Sequence, residues 1–412
     1  MLTIAHIAEL ATGRAREVGT EIIRDAAVVV DGEKIVANGK TSQLLKRFPK
    51  RKGDKEIDAT GKIVIPGFVD CHTHLVFAGS RAEEYRDKIR GVSYAALHKK
   101  GRGIHSTVAA TRRASEEELF ASAKKTLDEM LRLGTTTVEI KSGYGLTLGD
   151  ELKILSVIRR LKKTAKQDIV ATFLGAHTVP REYKGKRGAY VDLVVDTMLP
   201  RVAKEGLAEY VDVFCDPLGF TAKETGKIFA RARALGLPVR VHGEQTAHGG
   251  GAAAGAKFHA ASVDHCDHLR DGDIALMKRS GTTAVILPGV LLHTMEWQNT
   301  ALPAVVKKLR AARVPIALAT DYNPGSSPLL SMKLVMDLGM RFFRMEGGEC
   351  LAGATGHPAV ALGLGKRVGS IEAGKQADLL VIDAPSVAEY LYRIGESPIA
   401  LVVKKGAVVI KN

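Results

Sequence analysis

The feature that most restricts the fold of this 412-residue chain is an alternation, repeated eight times between residues 60 and 345, of short apolar runs with helical patterns. The strand candidates are KIVIPGFVD (62–70), TTTVEIK (135–141), DIVATFLGA (168–176), YVDVFCD (210–216), PVRVHGE (238–244), ASVDHC (261–266), TAVILPG (283–289) and PIALATD (315–321). Most are near-continuous in apolar and β-branched residues, as parallel strands buried on both faces should be. Amphipathic stretches such as EEELFASAKKTLDEMLRLG (116–134) and DELKILSVIRRLKK (150–163) separate them. Eight β/α units predict an α/β fold, a TIM-type (β/α)8 barrel, with an open doubly wound sheet as the other arrangement.

The flanks have a different pattern. AAVVVDGEKIVANG (26–39) carries a hairpin signal at Asp31-Gly32, and residues 368–412 hold further short apolar runs with Gly and charged turns. Neither end has enough strands for a core of its own, so the expectation is one small β-sandwich domain built from both termini. The domain expectation is therefore 1–61 and 359–412 for the β domain and 62–358 for the barrel. The stretch from Leu75 to about Ser115, with Arg81, Tyr85 and Tyr94, is too long for a simple βα loop and is expected to form a lid over the barrel mouth.

Composition narrows the function classes. Forty-five per cent hydrophobic residues exclude disorder, and no apolar run reaches the roughly 18 residues of a membrane span. The excess of 60 Lys+Arg over 45 Asp+Glu gives a net charge of +15. Its clusters, at Lys46, Arg47, Lys50, Arg51, Lys52 and at Arg159, Arg160, Lys162, Lys163, have no repeated aromatic interleaving, Phe48 being a single aromatic in the first, and predict solvated faces, with no nucleic-acid partner. Cys71, Cys215, Cys266 and Cys350 are scattered without a CxxC pair, and MLTIAHIAELATG lacks the pattern of a secretory signal; both predict a cytoplasmic protein with reduced thiols.

In a TIM barrel chemistry sits at the C-terminal ends of the strands. The first candidate strand ends in Cys71-His72-Thr73-His74, the fifth in His242-Gly243-Glu244-Gln245, the sixth in Asp264-His265 and the eighth in Asp321-Tyr322-Asn323. Two positions apart in an extended segment, His72 and His74 point to one side and can chelate a common ion. An HxH pair in a chain with 13 histidines is weak evidence alone; the other strand ends add His242 and Asp321 at the same rim. Three imidazoles and a carboxylate suit one borderline ion, zinc or iron, rather than magnesium or calcium. Such an ion makes water acidic and polarises a carbonyl, which predicts a metal hydrolase with Asp321 as metal ligand and proton acceptor. His265 is expected to orient or protonate the reacting group; a fourth ligand or a merely buried histidine are the other readings.

PGFVDCHTHLVFAG, with His242, His265, Asp321 and the terminal GSIEAGKQADLLVID, resembles the amidohydrolase superfamily over nearly the whole chain. Within it, GIHSTVAATRRAS (103–115), EIKSGYGL (139–146), FLGAHTVP (173–180) and ATDYNPGSSP (319–328) resemble the imidazolonepropionase family. The resemblance implies opening of the lactam of 4-imidazolone-5-propanoate to N-formimidoyl-L-glutamate in histidine degradation. It implies that Arg81, Tyr144, His177, Gln245, Asn323, Gly325 and Ser326 contact a small anionic substrate. Binuclear superfamily members carry a carboxylated lysine at the end of strand four, where this chain has Cys215-Asp216; the strand-end lysine here, Lys141, is on strand two, so one ion is expected. Superfamily members often dimerise, but no homodimer interface is legible in the sequence.

Three departures from the family pattern bear on substrate fit, one of them the unusual HCDHL (265–269) after strand six. Gln245 stands where some members have Glu, and an amide cannot act as a base, which moves proton transfer toward His265 and Asp321. GRGI replaces the usual GGGI at 101–104. The nearest alternative function is hydrolysis of another cyclic amide or deamination of a purine-like ring; a catalytically dead barrel is a third, which the four retained ligand residues oppose.

Overall fold

A computed structural model describes residues 1–15, 20–91, 103–298 and 300–412. Eight strands, β6 (Phe68–Asp70), β7 (Thr135–Lys141), β8 (Asp168–Ala176), β9 (Tyr210–Cys215), β10 (Val241–Gly243), β11 (Ser262–His265), β12 (Thr283–Ile286) and β13 (Ile316–Leu318), pair in parallel in chain order. Strand-end segments close the ring: Thr73 bridges Tyr322 in parallel, Asp321 N–H donates to His72 C=O at 3.0 Å and His74 N–H to Tyr322 C=O at 2.9 Å. This is the expected barrel, and the open sheet is excluded.

Helices cover the barrel for the reasons the sequence gives. Glu116–Arg132 starts at a capping box, in which Ser115 and Glu118 satisfy each other's backbone N–H groups. It buries Leu119, Ala123, Leu127, Met130 and Leu131, the face that a 3.6-residue period puts toward the strands. The next helix, Leu148–Thr164, begins on the Thr147 cap and buries Ile154, Leu155, Ile158 and Leu161.

Both termini build the second sheet. It contains β1 (Leu2–Ala15), β2 (Thr20–Asp31), β3 (Lys34–Lys40), β4 (Lys55–Asp58), β5 (Ile63–Pro66), β14 (Leu379–Ile382), β15 (Ile399–Lys404) and β16 (Ala407–Lys411). The order is β16-β15-β14-β5-β1-β2-β3, with β4 on β1. β2 and β3 form the expected antiparallel hairpin, Asp31 opposite Lys34. Val28 and Val30 pack with Ile4, Ile7 and Leu379, whereas Ala27 and Val29 pack with Leu44 of the helix Thr41–Arg47, the period-two alternation of a strand covered on both faces.

The single candidate strand over 62–70 is corrected: it divides at Gly67. Ile63–Pro66 pairs with β14 and β1 in the terminal sheet, and Phe68–Asp70 opens the barrel. A Cβ on Gly67 would lie 2.3 Å from the buried Thr136 Oγ1, so any larger residue there forces the Thr136 side chain to shift. An apolar run says that backbone is buried; it does not say in which sheet. In the stretch expected as a lid, Ala82–Ile89 and Ile104–Arg113 are helices, and Tyr94 lies outside the described residues. All four cysteines are buried and free. Among the described residues no helix is long and apolar enough to cross a membrane.

Candidate metal centre and active site

The barrel's strand ends bring His72, His74 and His242 together, each at most 3% exposed, with one ring nitrogen of each within 4.8 Å of the others. His242 Nε2 lies 3.3 Å from His74 Nε2. Asp321 Oδ1 lies 3.3 Å from His72 Nε2 and 3.4 Å from His74 Nε2. His72 Nε2 is buried without a hydrogen-bond partner. An orphaned buried nitrogen is costly, and here it faces a carboxylate oxygen and two further imidazoles, which is the donor set of a borderline divalent ion. The residues fit a metal ion.

The same rim carries residues in strained backbone conformations. Asp321 (φ +51°), Glu244 (φ +61°), His265 (φ +84°) and Cys266 (φ +70°) are all left-handed. Such residues persist only where their surroundings over-determine them. Glu244 shows how: its carboxylate accepts from Gly249 N–H at 2.6 Å and Ala252 N–H at 3.0 Å, pinning the loop after β10.

Carboxylates to which the sequence reading gave no role hold the imidazoles from behind. His72 Nδ1 is 2.6 Å from Asp264 Oδ2. His242 Nδ1 is 3.0 Å from Asp212 Oδ2, off the line of a full hydrogen bond, while His242 N–H donates to Asp212 Oδ1 at 3.1 Å. Glu139 accepts from Thr73 N–H at 3.2 Å, fixing the segment between the two first-strand histidines. Lys141, fully buried, pairs with Glu139 and Asp212, each at 2.9 Å, and lies 3.7 Å from Asp264. Arg240 pairs with Asp264 at 3.3 Å and donates to Cys71 C=O at 2.7 Å. The available signal was the period-two placement of charge inside otherwise apolar strands: Glu139 with Lys141, Arg240 with His242, and the isolated Asp212 and Asp264.

Electrostatics follow from this packing. Burial pushes Asp321 up, but the His72 and His74 imidazoles beside it outweigh that and hold its carboxyl well below the usual range. Burial and Lys141 push His72 down; Asp264 and Asp321 prevail and raise it to about 9. Burial lowers His74 to about 4 and takes His177 and His265 well below the ordinary imidazole value. Burial, opposed by Asp212 and Glu139, leaves Lys141 above the usual lysine range. Carboxylates on either side favour the ammonium form of Lys141.

The residues expected at the substrate are placed as follows. His177 stacks on His74, ring centres 5.1 Å apart, and its Nδ1 faces Gly143 C=O at 3.0 Å. Tyr144 is 5.8 Å from His74 and 5.5 Å from His177 by ring centres, 5% exposed, its phenol pushed up by burial. His265 lies 5.4 Å from His242 and 5.8 Å from His72. Ser326 Oγ reaches Asp321 Oδ2 at 3.4 Å. Asn323 donates to Asp321 C=O and Ser326 Oγ and accepts from Gly325 N–H and Ser326 N–H, so both donors and both lone pairs are spent inside its loop. Arg81 turns Nε and Nη2 to Glu84, and Nη1 covers Gly325, where a Cβ would meet it at 1.9 Å. Its fork is thus engaged within the protein. Gln245 is half-buried three residues after His242.

Barrel, strand-end imidazoles and aspartate define a class that comparison supports: residues 63–409 match the model of the amidohydrolase family, and the chain belongs to it. Among solved structures, a triazine hydrolase variant superposes with a TM-score of 0.76 at 17% identity, covering 100% of this chain and 95% of that one. A zinc-bound adenosine deaminase from Xanthomonas campestris gives 0.68 at 20% identity, covering 99% and 92%. These likenesses concern the fold. Within the family the chain is a member of the imidazolonepropionases: it is 46% identical to the imidazolonepropionase of Caulobacter vibrioides over 402 residues, 98% of both chains. It is 45% identical to that of Bradyrhizobium diazoefficiens over 404 residues, again 98% of both.

Proposed function

We infer that the chain is a hydrolase that opens the lactam ring of 4-imidazolone-5-propanoate to give N-formimidoyl-L-glutamate in histidine degradation. Its full-length identity to imidazolonepropionases supports the reaction. The geometric observation that carries the chemistry is His72 Nε2, buried, unpartnered and facing His74, His242 and Asp321. We propose that these four residues hold one zinc or iron ion. When bound, the ion supplies Lewis acidity toward the lactam carbonyl and makes its water acidic at neutral pH.

The remaining steps belong to side chains. Asp321, ionised and directed at the centre by two imidazoles, accepts the proton of the attacking water and hands it on to the ring nitrogen, which leaves as the C–N bond of the lactam breaks. His265, kept neutral by burial, ends β11 beside the His242 strand β10, where it steadies the charge that develops on the carbonyl oxygen. With Nδ1–H on Gly143 C=O, neutral His177 presents Nε2 as an acceptor, and buried Tyr144 keeps its O–H as a donor. Together they form a wall that selects a ring bearing both donor and acceptor groups. Arg81 Nη1 supplies positive charge above Gly325 for the propanoate. Asn323 sets the loop that carries Ser326 and Gly325. We propose the domain division of the sequence with one change, the first hand-over placed at Gly67 because β5 pairs in the terminal sheet.

The test is a spectroscopic assay for loss of the imidazolone, paired with metal analysis of the purified protein and with guanine and cyclic ureides as competing substrates. Turnover of imidazolone propanoate well above the others is expected. Preference for a purine-like ring or another cyclic amide would replace this reading.

A further inference from the structure

The mechanism above gives no task to Lys141, yet it is a fully buried ammonium at the bottom of the centre. It stands at 2.9 Å from Glu139, 2.9 Å from Asp212 and 3.7 Å from Asp264. Asp212 lies 3.0 Å from His242 Nδ1 and Asp264 2.6 Å from His72 Nδ1. We propose that Lys141 is a positioning residue for the metal centre, the shared anchor that keeps Asp212 and Asp264 where they aim the Nε2 lone pairs of His242 and His72 at the ion.

The argument is one of charge and distance, and it rests on the reading of His72, His74, His242 and Asp321 as metal ligands. Three carboxylates converge in a region without solvent, where like charges repel far more strongly than in water. Arg240 compensates Asp264 at 3.3 Å, and among the described lysine and arginine ion pairs Asp212 and Glu139 have only Lys141. Without the ammonium, the carboxylates separate, and each carries its imidazole with it. Groups that orient metal-bound histidines typically change affinity about 10–100-fold when lost.

Zinc affinity is measured by competition with a chromophoric chelator on wild type, Lys141→Met, Asp212→Asn and Lys333→Met. The last removes another buried ammonium, paired with Asp337 at 2.6 Å away from the centre, and controls for the general cost of a broken buried pair. Lys141→Met and Asp212→Asn are expected to bind zinc about 10–100-fold more weakly and to alter the visible bands of the cobalt-substituted protein. Lys333→Met is expected to lower the melting temperature and leave both readouts alone. Wild-type zinc affinity and cobalt bands in folded Lys141→Met, or in Asp212→Asn, overturn the proposal. If Lys141→Met does not fold, Lys141→Met/Glu139→Gln, which removes the ammonium with a carboxylate that touches no ligand imidazole, is read by the same criteria. A wild-type protein that binds no stoichiometric zinc, iron or cobalt defeats the underlying metal reading instead.

Discussion

Asp321 and His265 combine left-handed backbone, burial and displaced protonation, and each depends on neighbours from other strands. Asp321→Asn and His265→Ala are each expected to lower kcat by about 10²–10⁴-fold, the usual range for lost acid–base assistance. Gln245→Ala should reduce kcat much less, and equal damage with normal binding would return a chemical role to the amide. At the mouth, Arg81→Ala should raise KM more than Arg81→Lys, and Gly325→Ala should act like a mild Arg81 variant by displacing Nη1. Near-wild-type kcat/KM in all three would remove Arg81 from recognition. His72 sets the direction of a pH effect. Raised to about 9, it holds a proton below that value that the ion must displace, so zinc affinity should climb with pH through the neutral range. Calorimetry in buffers of different ionisation enthalpy reads the released proton directly.

At the scale of elements, the period of two explains both what the sequence revealed and what it concealed. Strands β7 and β8 coincide with their candidates because β-branched runs bounded by helical patterns have one interpretation. The division of 62–70 did not show, because Ile63–Pro66 and Phe68–Asp70 are equally apolar and only their partners differ. Gly67→Ala tests that crossing: a methyl against Thr136 should cost about 1–3 kcal/mol, the usual range for overpacking. Thr136→Ala in the same chain should recover most of the loss in chemical denaturation. Failure of the second change to compensate would place the strain elsewhere.

On the scale of the whole molecule, the terminal sheet and the barrel share a charged contact. Lys404, 3% exposed on β15, pairs with Asp378 at 2.7 Å and with Asp168 at the start of β8 at 2.9 Å. Burial raises Asp168, but Lys404 and Gln376 prevail and lower it. A carboxylate depressed in the folded state adds stability above its unfolded value near 3.9, and that stability is lost as pH falls through the folded value. Acid should therefore loosen the attachment of the terminal sheet. Lys404→Met is expected to destabilise by somewhat less than the roughly 3–5 kcal/mol of a fully buried broken pair, because Asp168 keeps some solvent contact. Equal stability of variant and wild type in urea at neutral pH would show the contact to be passive. Elemental analysis should give one tightly bound ion per chain, with chelation abolishing turnover and zinc or iron restoring it; two ions, both required, would contradict the single-ion centre.

The sequence by itself determined the barrel, the hairpin of the first flank and the histidine-aspartate set, because burial of parallel strands and ligand spacing are local properties of a run of residues. Lys141 was legible only as a strand-end lysine unsuited to a binuclear site; its three carboxylates come from three different strands, and their meeting depends on barrel closure. Asn323 and Arg81 are engaged at short range instead: the Asn323 amide is consumed by its own loop, and the Arg81 fork faces Glu84 three residues on. Which charges meet, and which hydrogen bonds are already taken, are pairwise facts of the folded geometry. A one-dimensional pattern carries the types of groups that must be buried, and only the packed chain decides which of them satisfy one another.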